Sequence, residues 1–303
     1  MTNKANDNFA PGTAINQVES GLFFKSILKW KDGTIERTED YLILEEPLEI
    51  VFRFQEKGKT VLKPISVTMR TPGHDEDLIL GFLFNEGLIN SLYEIKDLEF
   101  KFTCSGEAME NQTAIVSVNW QTGERAKTLD RHFYTNSSCG VCGKTSIDLS
   151  LDSLAYIPKK LPGTLDPYKL VLLPEKMRAN QVLFHKTGGV HACGLFDLEG
   201  NLIHFCEDVG RHNAMDKLVG WCLRHDLNPA SEHILMLSGR ASFELIQKAM
   251  SIGIPVVLSV GAPSHLAVNL ANESGMSLAG FMKIDSLNIY SGEDRFKLES
   301  NAI

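Results

Sequence analysis

Over the first third of the chain, apolar and polar residues alternate in short runs, a period of two that predicts strands. Phe23 to Trp30 is followed by Lys31-Asp32-Gly33-Thr34, whose Asp-Gly pair marks a hairpin turn. Leu48 to Phe54 and Val61 to Met69 alternate in places on either side of Lys57-Gly58. The period then lengthens. Asp75 to Asn85 predicts a helix, entered after Pro72-Gly73 and ended by Gly87. Its first turn, Asp75-Glu76-Asp77, suits the positive end of a helix dipole. Leu98 to Thr103 and Thr113 to Trp120 predict further strands. These segments make an α+β domain over residues 21–134, preceded by a loose polar tail, residues 1–20.

Residues 135–165 change character. Thr135 to Lys144 is small, polar and glycine-rich, and Pro162-Gly163 has linker composition, so this segment is expected to be a mobile loop and linker. Strands and helices alternate from 166 to 303. A helix is predicted from Pro174 to about Phe184, stopped by Gly188-Gly189. Val190 to Phe196 and Leu202 to Cys206 form a hairpin around Leu198-Glu199-Gly200-Asn201. A helix follows from Arg211 to Arg224. Strands at Ile234 to Leu237, Pro255 to Val260 and Leu278 to Met282 then alternate with helices at Phe243 to Ile252 and Ser264 to Ser274. That order predicts parallel pairing with right-handed crossovers, an α/β domain following the smaller α+β one.

Composition narrows the function classes. The 303 residues carry a formal net charge of −8, which argues against nonspecific nucleic-acid binding, since that rests on many Lys and Arg neutralising phosphates. A 43% hydrophobic and 22% charged make-up is that of a soluble protein. No apolar run reaches the length of a membrane span, and Met1 to Ser20 lacks the apolar stretch of a signal peptide. The six cysteines are Cys104, Cys139, Cys142, Cys193, Cys206 and Cys222. They are too sparse for a disulfide scaffold, so reduced thiols in the cytoplasm are expected.

Only Cys139 and Cys142 lie close in sequence, as Cys139-Gly140-Val141-Cys142. The spacing suits half of a zinc site, completed by residues such as Cys104 or His132. It also suits a redox pair, an inert buried pair, or a nucleophile that carries sulfur as a persulfide, and spacing alone does not choose. His74-Asp75-Glu76 has the H-x-E form of a zinc deaminase, but Ser138 stands where that motif needs proline before C-x-x-C.

Three other clusters crowd junctions between strands and helices. In Glu207 to Lys217, Arg211 and Lys217 bring positive charge and His212 and Asn213 bring hydrogen-bonding groups, with Asp208 placed to fix Arg211. A helix N-terminus there offers free N–H groups to an anion. Ser238-Gly239-Arg240 follows a buried strand, and Gly261-Ala262-Pro263-Ser264 repeats the arrangement one unit later. Glycine lets a ligand approach the backbone, and Arg grips phosphate or carboxylate with paired bonds. His185 to His191 gathers Lys186 and His191 around Gly188-Gly189. Ligands of open α/β sheets settle beyond the carboxyl ends of the strands, where the Ser238 and Gly261 loops fall. Cys193, Cys206 and Cys222 sit in apolar patterns and read as core.

Together these segments resemble formate dehydrogenase accessory proteins of the FdhD/NarQ family. The resemblance rests on Ser137 to Gly143, Thr187 to Ala192, Glu207 to Lys217 and Ser238-Gly239-Arg240, in that order, and spans roughly residues 20–290. It implies a cytidine-deaminase-like three-layer C-terminal domain. It implies a sulfurtransferase that takes sulfur from a cysteine desulfurase as a persulfide on Cys139, with Cys142 as partner or relay. The acceptor would be the molybdenum cofactor, bis-molybdopterin guanine dinucleotide, destined for formate dehydrogenase, and the protein would be a homodimer. The family's cofactor stretch, Phe-x-Arg-x-Gly-Arg, maps onto Phe281-Met282-Lys283-Ile284-Asp285-Ser286. Here Lys283 replaces an Arg, and Asp285 and Ser286 replace Gly and Arg, so the forked Arg contacts are missing. With these six, Arg211, His212, Asn213, Arg240, Gly239, Lys186 and His191 form the expected cofactor site. The alternative reading is a cofactor-holding chaperone with structural zinc at the C-x-x-C.

Overall fold

The computed structural model describes residues 21–103, 111–119 and 165–298. Its N-terminal part begins with a long hairpin of β1 (Leu22–Lys31) and β2 (Thr34–Ile43), turned at Asp32-Gly33, where both residues have positive φ. Next comes a four-stranded sheet of β3 (Glu46–Glu56), β4 (Lys59–Arg70), β5 (Ile95–Thr103) and β6 (Asn111–Val118), in the order β4-β3-β6-β5. β3 and β6 run parallel; the outer pairs are antiparallel. Alternate residues Leu48, Ile50, Phe52 and Phe54 of β3, with Ala114, Val116 and Val118 of β6, bury one face. Leu78, Ile79 and Leu83 of α1 (Asp75–Asn85) cover it.

The C-terminal part is built on six strands in the order β12-β11-β10-β9-β7-β8. These are β7 (His191–Asp197), β8 (Leu202–Asp208), β9 (His233–Leu237), β10 (Val256–Ser259), β11 (Ser277–Gly280) and β12 (Asn288–Ser291). β9, β10 and β11 are parallel, as the strand–helix alternation predicts; β7, β8 and β12 pair antiparallel. One face is covered by α5 (Arg211–Arg224), α6 (Phe243–Ser251) and α7 (His265–Glu273), through residues such as Leu218, Ile246 and Leu270. The other packs under Leu170, Leu173 and Met177 of α2 (Pro167–Leu170) and α3 (Leu173–Arg178), with Phe296. The sheet is thus the middle of three layers. Cys193, Cys206 and Cys222 are core residues, and burial pushes each thiol up, that of Cys222 to about 12.

One element departs from expectation. The single helix read from Pro174 to Phe184 is two short ones, α3 and α4 (Val182–Thr187), broken where Gln181 is buried and its N–H bonds to Arg178. Gly188 ends α4 with φ +65, the stop expected of it.

α1 joins the two halves. Its second face lies on α5, so closely that a methyl on Gly81 would overlap the Asp216 carbonyl, and one on Gly220 the Asp77 carbonyl. Arg224 reaches Asp77 at 3.0 Å, and Asp216 accepts from Asn85 at 2.7 Å and Lys248 at 2.6 Å. Among the described residues no helix is long and apolar enough to cross a membrane.

A cationic cleft at the carboxyl edge of the sheet

Parallel strands β9, β10 and β11 end on one edge, and the antiparallel β7–β8 hairpin brings the start of β7 and the end of β8 to the same place. His191, first residue of β7, pairs with Asp208, last residue of β8. Beyond the strands the backbone ladder continues through the loops: Ser238 N–H to Ala192 O, Gly261 N–H to Gly239 O, and Phe281 N–H to Gly261 O, all 2.9–3.1 Å. A Cβ on Gly239 would sit 3.2 Å from His191 Nδ1; one on Gly261 would meet Gly239 O and Arg240, and one on Gly280 would meet Gly261 O. These glycines let neighbouring loops pack closely along the edge, where any larger residue would clash.

Arg211 and Arg240 lie close to His191 at this edge. Burial lowers the His191 pKa, and the two guanidinium charges lower it further, which places all three groups in one electrostatic neighbourhood. Among the described residues neither Arg211 nor Arg240 has a hydrogen bond or an acidic partner. Arg211 also opens α5, whose N-cap Gly210 has no side chain to satisfy the first-turn N–H groups. Two unpaired forks, a free helix N-terminus and a neutral imidazole form a receptor for an anion with several oxygens, such as a diphosphate.

The other residues of the 207–217 cluster hold the junction in place. Asp208 does not fix Arg211, as the sequence suggested. It pairs with Lys217 at 2.8 Å, both side chains being essentially inaccessible, and accepts from the N–H groups of Thr71 and Gly210. Lys217 also donates to the Thr71 carbonyl, and Val209 N–H to the Thr71 hydroxyl. Lys217 is thus removed from any ligand role. The Asn213 amide donates to Met69 O and Asp208 and accepts from Thr68, so it ties β4 to the helix start. Glu207 accepts from Leu183 and Phe184 at the start of α4, and burial raises its pKa. His212 Nε2 lies 2.7 Å from Glu244 Oε2 without hydrogen-bond alignment; burial and the Lys248 charge lower its pKa.

The 281–286 stretch divides. Phe281 takes positive φ, +52, and is 45% exposed beside the Gly261 loop, to whose carbonyl its N–H bonds. The Met282 side chain is in the core, so only its backbone faces the loop. Lys283, Ile284, Asp285 and Ser286 form an exposed turn closed by Lys283 N–H to Ser286 O at 2.8 Å. Lys186 is exposed on α4, its ammonium 5.7 Å from the Tyr41 ring. His74 caps α1 beside Asp77, and Asp75 pairs with Arg70, which gives the H-x-E run a helix-start role. Cys139 and Cys142 lie outside the described residues, as do Cys104 and His132. Sequence reasoning missed Thr71 and Glu244. Arg70-Thr71-Pro72-Gly73 is a polar turn directly after a strand, which was the available signal for Thr71.

The model of the FdhD/NarQ family matches residues 43–297. The chain belongs to the FdhD/NarQ family. It is 42% identical over 283 residues to the sulfur carrier protein FdhD of Streptomyces avermitilis, covering 92% of this chain and 96% of that one. The protein of the same name from Saccharolobus solfataricus is 37% identical, over 89% and 96%. The fold is similar to a crystal structure from Desulfotalea psychrophila, named as a formate dehydrogenase accessory protein. The TM-score is 0.64 at 21% identity, over 91% and 99% of the two chains.

Proposed function

We propose that this FdhD/NarQ protein is a sulfur carrier for formate dehydrogenase maturation, acting as a sulfurtransferase. The observation that carries the reading is the name and near full-length identity of its relatives, sulfur carrier proteins FdhD. The cleft supports it independently, as a seat for a phosphate-rich substrate. Cys139, as thiolate, attacks the outer sulfur of a cysteine desulfurase persulfide. The donor S–S bond breaks, a new one forms on Cys139, and the desulfurase thiolate leaves. The substrate that receives the sulfur is bis-molybdopterin guanine dinucleotide. Arg211 and Arg240 hold its phosphates, the α5 N–H groups meet them at the backbone, and His191, neutral at pH 7, donates a hydrogen bond without competing charge. Phe281 offers an aromatic face at the rim. We read the C-terminal half as a cytidine-deaminase-like layer without the zinc chemistry, and the cytoplasm as the compartment that keeps the thiols reduced.

The test is intact-protein mass spectrometry after incubation with a cysteine desulfurase and cysteine. A one-sulfur mass gain that disappears in the Cys139→Ala/Cys142→Ala double variant is expected. No gain on the wild type, or an undiminished gain in the double variant, overturns the reading. Stoichiometric zinc lost with the two cysteines would instead favour a structural C-x-x-C.

A further inference from the structure

Nothing local holds the turn between β8 and α5. Gly210, the N-cap, has no side chain, and among the described residues Arg211 has no hydrogen-bond or acidic partner of its own. The turn is held instead from the N-terminal sheet, by Thr71, which is fully buried at the end of β4. All three of its polar groups bond to this junction. Its N–H donates to Asp208 Oδ2 at 3.1 Å, its hydroxyl accepts from Val209 N–H at 3.0 Å, and its carbonyl accepts from Lys217 Nζ at 2.8 Å. Asp208 passes the hold on, since its Oδ1 accepts from Gly210 N–H at 2.8 Å.

Thr71 cannot follow the turn if the turn shifts. It comes directly after Arg70, whose buried guanidinium donates to both Asp75 oxygens at 2.9 and 3.1 Å, to Gln112 and to Glu46. A residue of one sheet thus fixes where a helix of the other begins. Side-chain substitution can remove only the hydroxyl bond of the three, and that bond ends on Val209, two residues before Arg211. Arg240 stands on a different loop, between β9 and α6, whose bonds run to Ala192, Gly261 and Ser264. We propose that Thr71 is a positioning residue for the anion cleft, acting through Arg211 and not through Arg240. The inference rests on the reading of the cleft as the seat of a phosphate-rich substrate.

Calorimetry of guanosine diphosphate binding to the full chain tests it, with circular dichroism to confirm that each variant is folded. Thr71→Val keeps the shape and both backbone bonds but leaves Val209 N–H without its acceptor, and should weaken binding at least about fivefold. Thr71→Ser, which keeps the hydroxyl, should stay within about twofold of the wild type. In an Arg211→Ala background Thr71→Val should cost no more than about twofold, because the group it acts through is gone; in an Arg240→Ala background the whole factor should return. A merely structural role, loosening the cleft as a whole, would cost the same in both backgrounds. Wild-type affinity in Thr71→Val, no rescue by serine, or equal factors in the two backgrounds each overturns the proposal. If Thr71→Val does not fold, amide hydrogen exchange on the wild type decides: by reciprocity, saturating guanosine diphosphate should slow exchange at Thr71 and Val209, and unchanged exchange at both overturns it. A wild type that does not bind the nucleotide overturns the reading of the cleft, and this inference with it; binding indifferent to Thr71 overturns this inference alone.

Discussion

Gly81 of α1 and Gly220 of α5 lie where the two helices cross, and each leaves room for the other helix's backbone: Asp216 carbonyl at Gly81, Asp77 carbonyl at Gly220. Neither helix can withdraw freely, because α1 is pinned to the N-terminal sheet and α5 to the C-terminal one. Gly81→Ala or Gly220→Ala is therefore expected to cost about 3 kcal/mol, at the upper end of overpacking effects, despite the better helix propensity of alanine. Urea denaturation of each variant measures it; a stabilised variant would contradict the close approach.

The buried Lys217–Asp208 pair makes a second prediction. Lys217→Met strands a carboxylate with no water, at about 3–5 kcal/mol. Lys217→Met combined with Asp208→Leu should cost clearly less than the sum of the two single changes, because neither charge remains. A double-mutant cycle by chemical denaturation gives the coupling, and simple additivity would show that the pair is not a unit.

Arg211 and Arg240 should act through their forks as well as their charge. With guanosine diphosphate as probe for the nucleotide end of the substrate, Arg211→Ala and Arg240→Ala should each weaken binding at least tenfold in calorimetry. Lysine at either position should recover only part of the loss. Binding should also fall steeply with salt. Affinity unchanged in both alanine variants would move the anion site elsewhere.

His204 stacks on Trp221, ring centroids 4.1 Å apart and planes 7° from parallel. Burial, with the nearby His74 charge, lowers the His204 pKa from 6.5 to about 4, against an opposing pull from Asp77. The unfolded chain therefore holds more protons at this residue between those values. The contribution of the neutral ring to stability is whole above pH 6.5, declines through the window, and is lost below pH 4. Protonation next to the indole should also quench it, so Trp221 emission should drop with a midpoint near pH 4. That transition should vanish in His204→Phe, which leaves the other two tryptophans untouched. Trp221 also stacks on His225, ring centroids 4.2 Å apart, so the titration is repeated in His225→Phe, where a midpoint near 6.5 would mean that the His204 ring is solvated.

Legibility followed the range of the interactions. Both ends of α1 and of α5 could be read from the residues, because an acidic first turn and a polar junction after a strand are local signals. β12 could not: it is a four-residue edge strand, too short to show a period. The site was legible as a crowd of polar groups at one strand-to-helix junction, but not in its division of labour. Lys217 appeared available and Asp208 was given to Arg211 because Thr71, which bonds to both, lies 146 and 137 residues away in sequence. Arg211 stayed available for the complementary reason that Asp208 was already taken. Met282 matched the family stretch by position, yet its side chain belongs to the core beneath the turn.

The glycines at 239, 261 and 280 form one row, each packed against the next loop's peptide or the His191 ring. The spacing of anchor points along that row is therefore inherited from the distance between neighbouring strands, about 4.8 Å, and not from any rotamer. Arg211, Arg240 and Lys283 can be exchanged without altering this ruler. Charge and shape are thus separately adjustable in the cleft, and a substituted 281–286 turn can change how strongly a ligand is held while leaving the place where it sits unchanged.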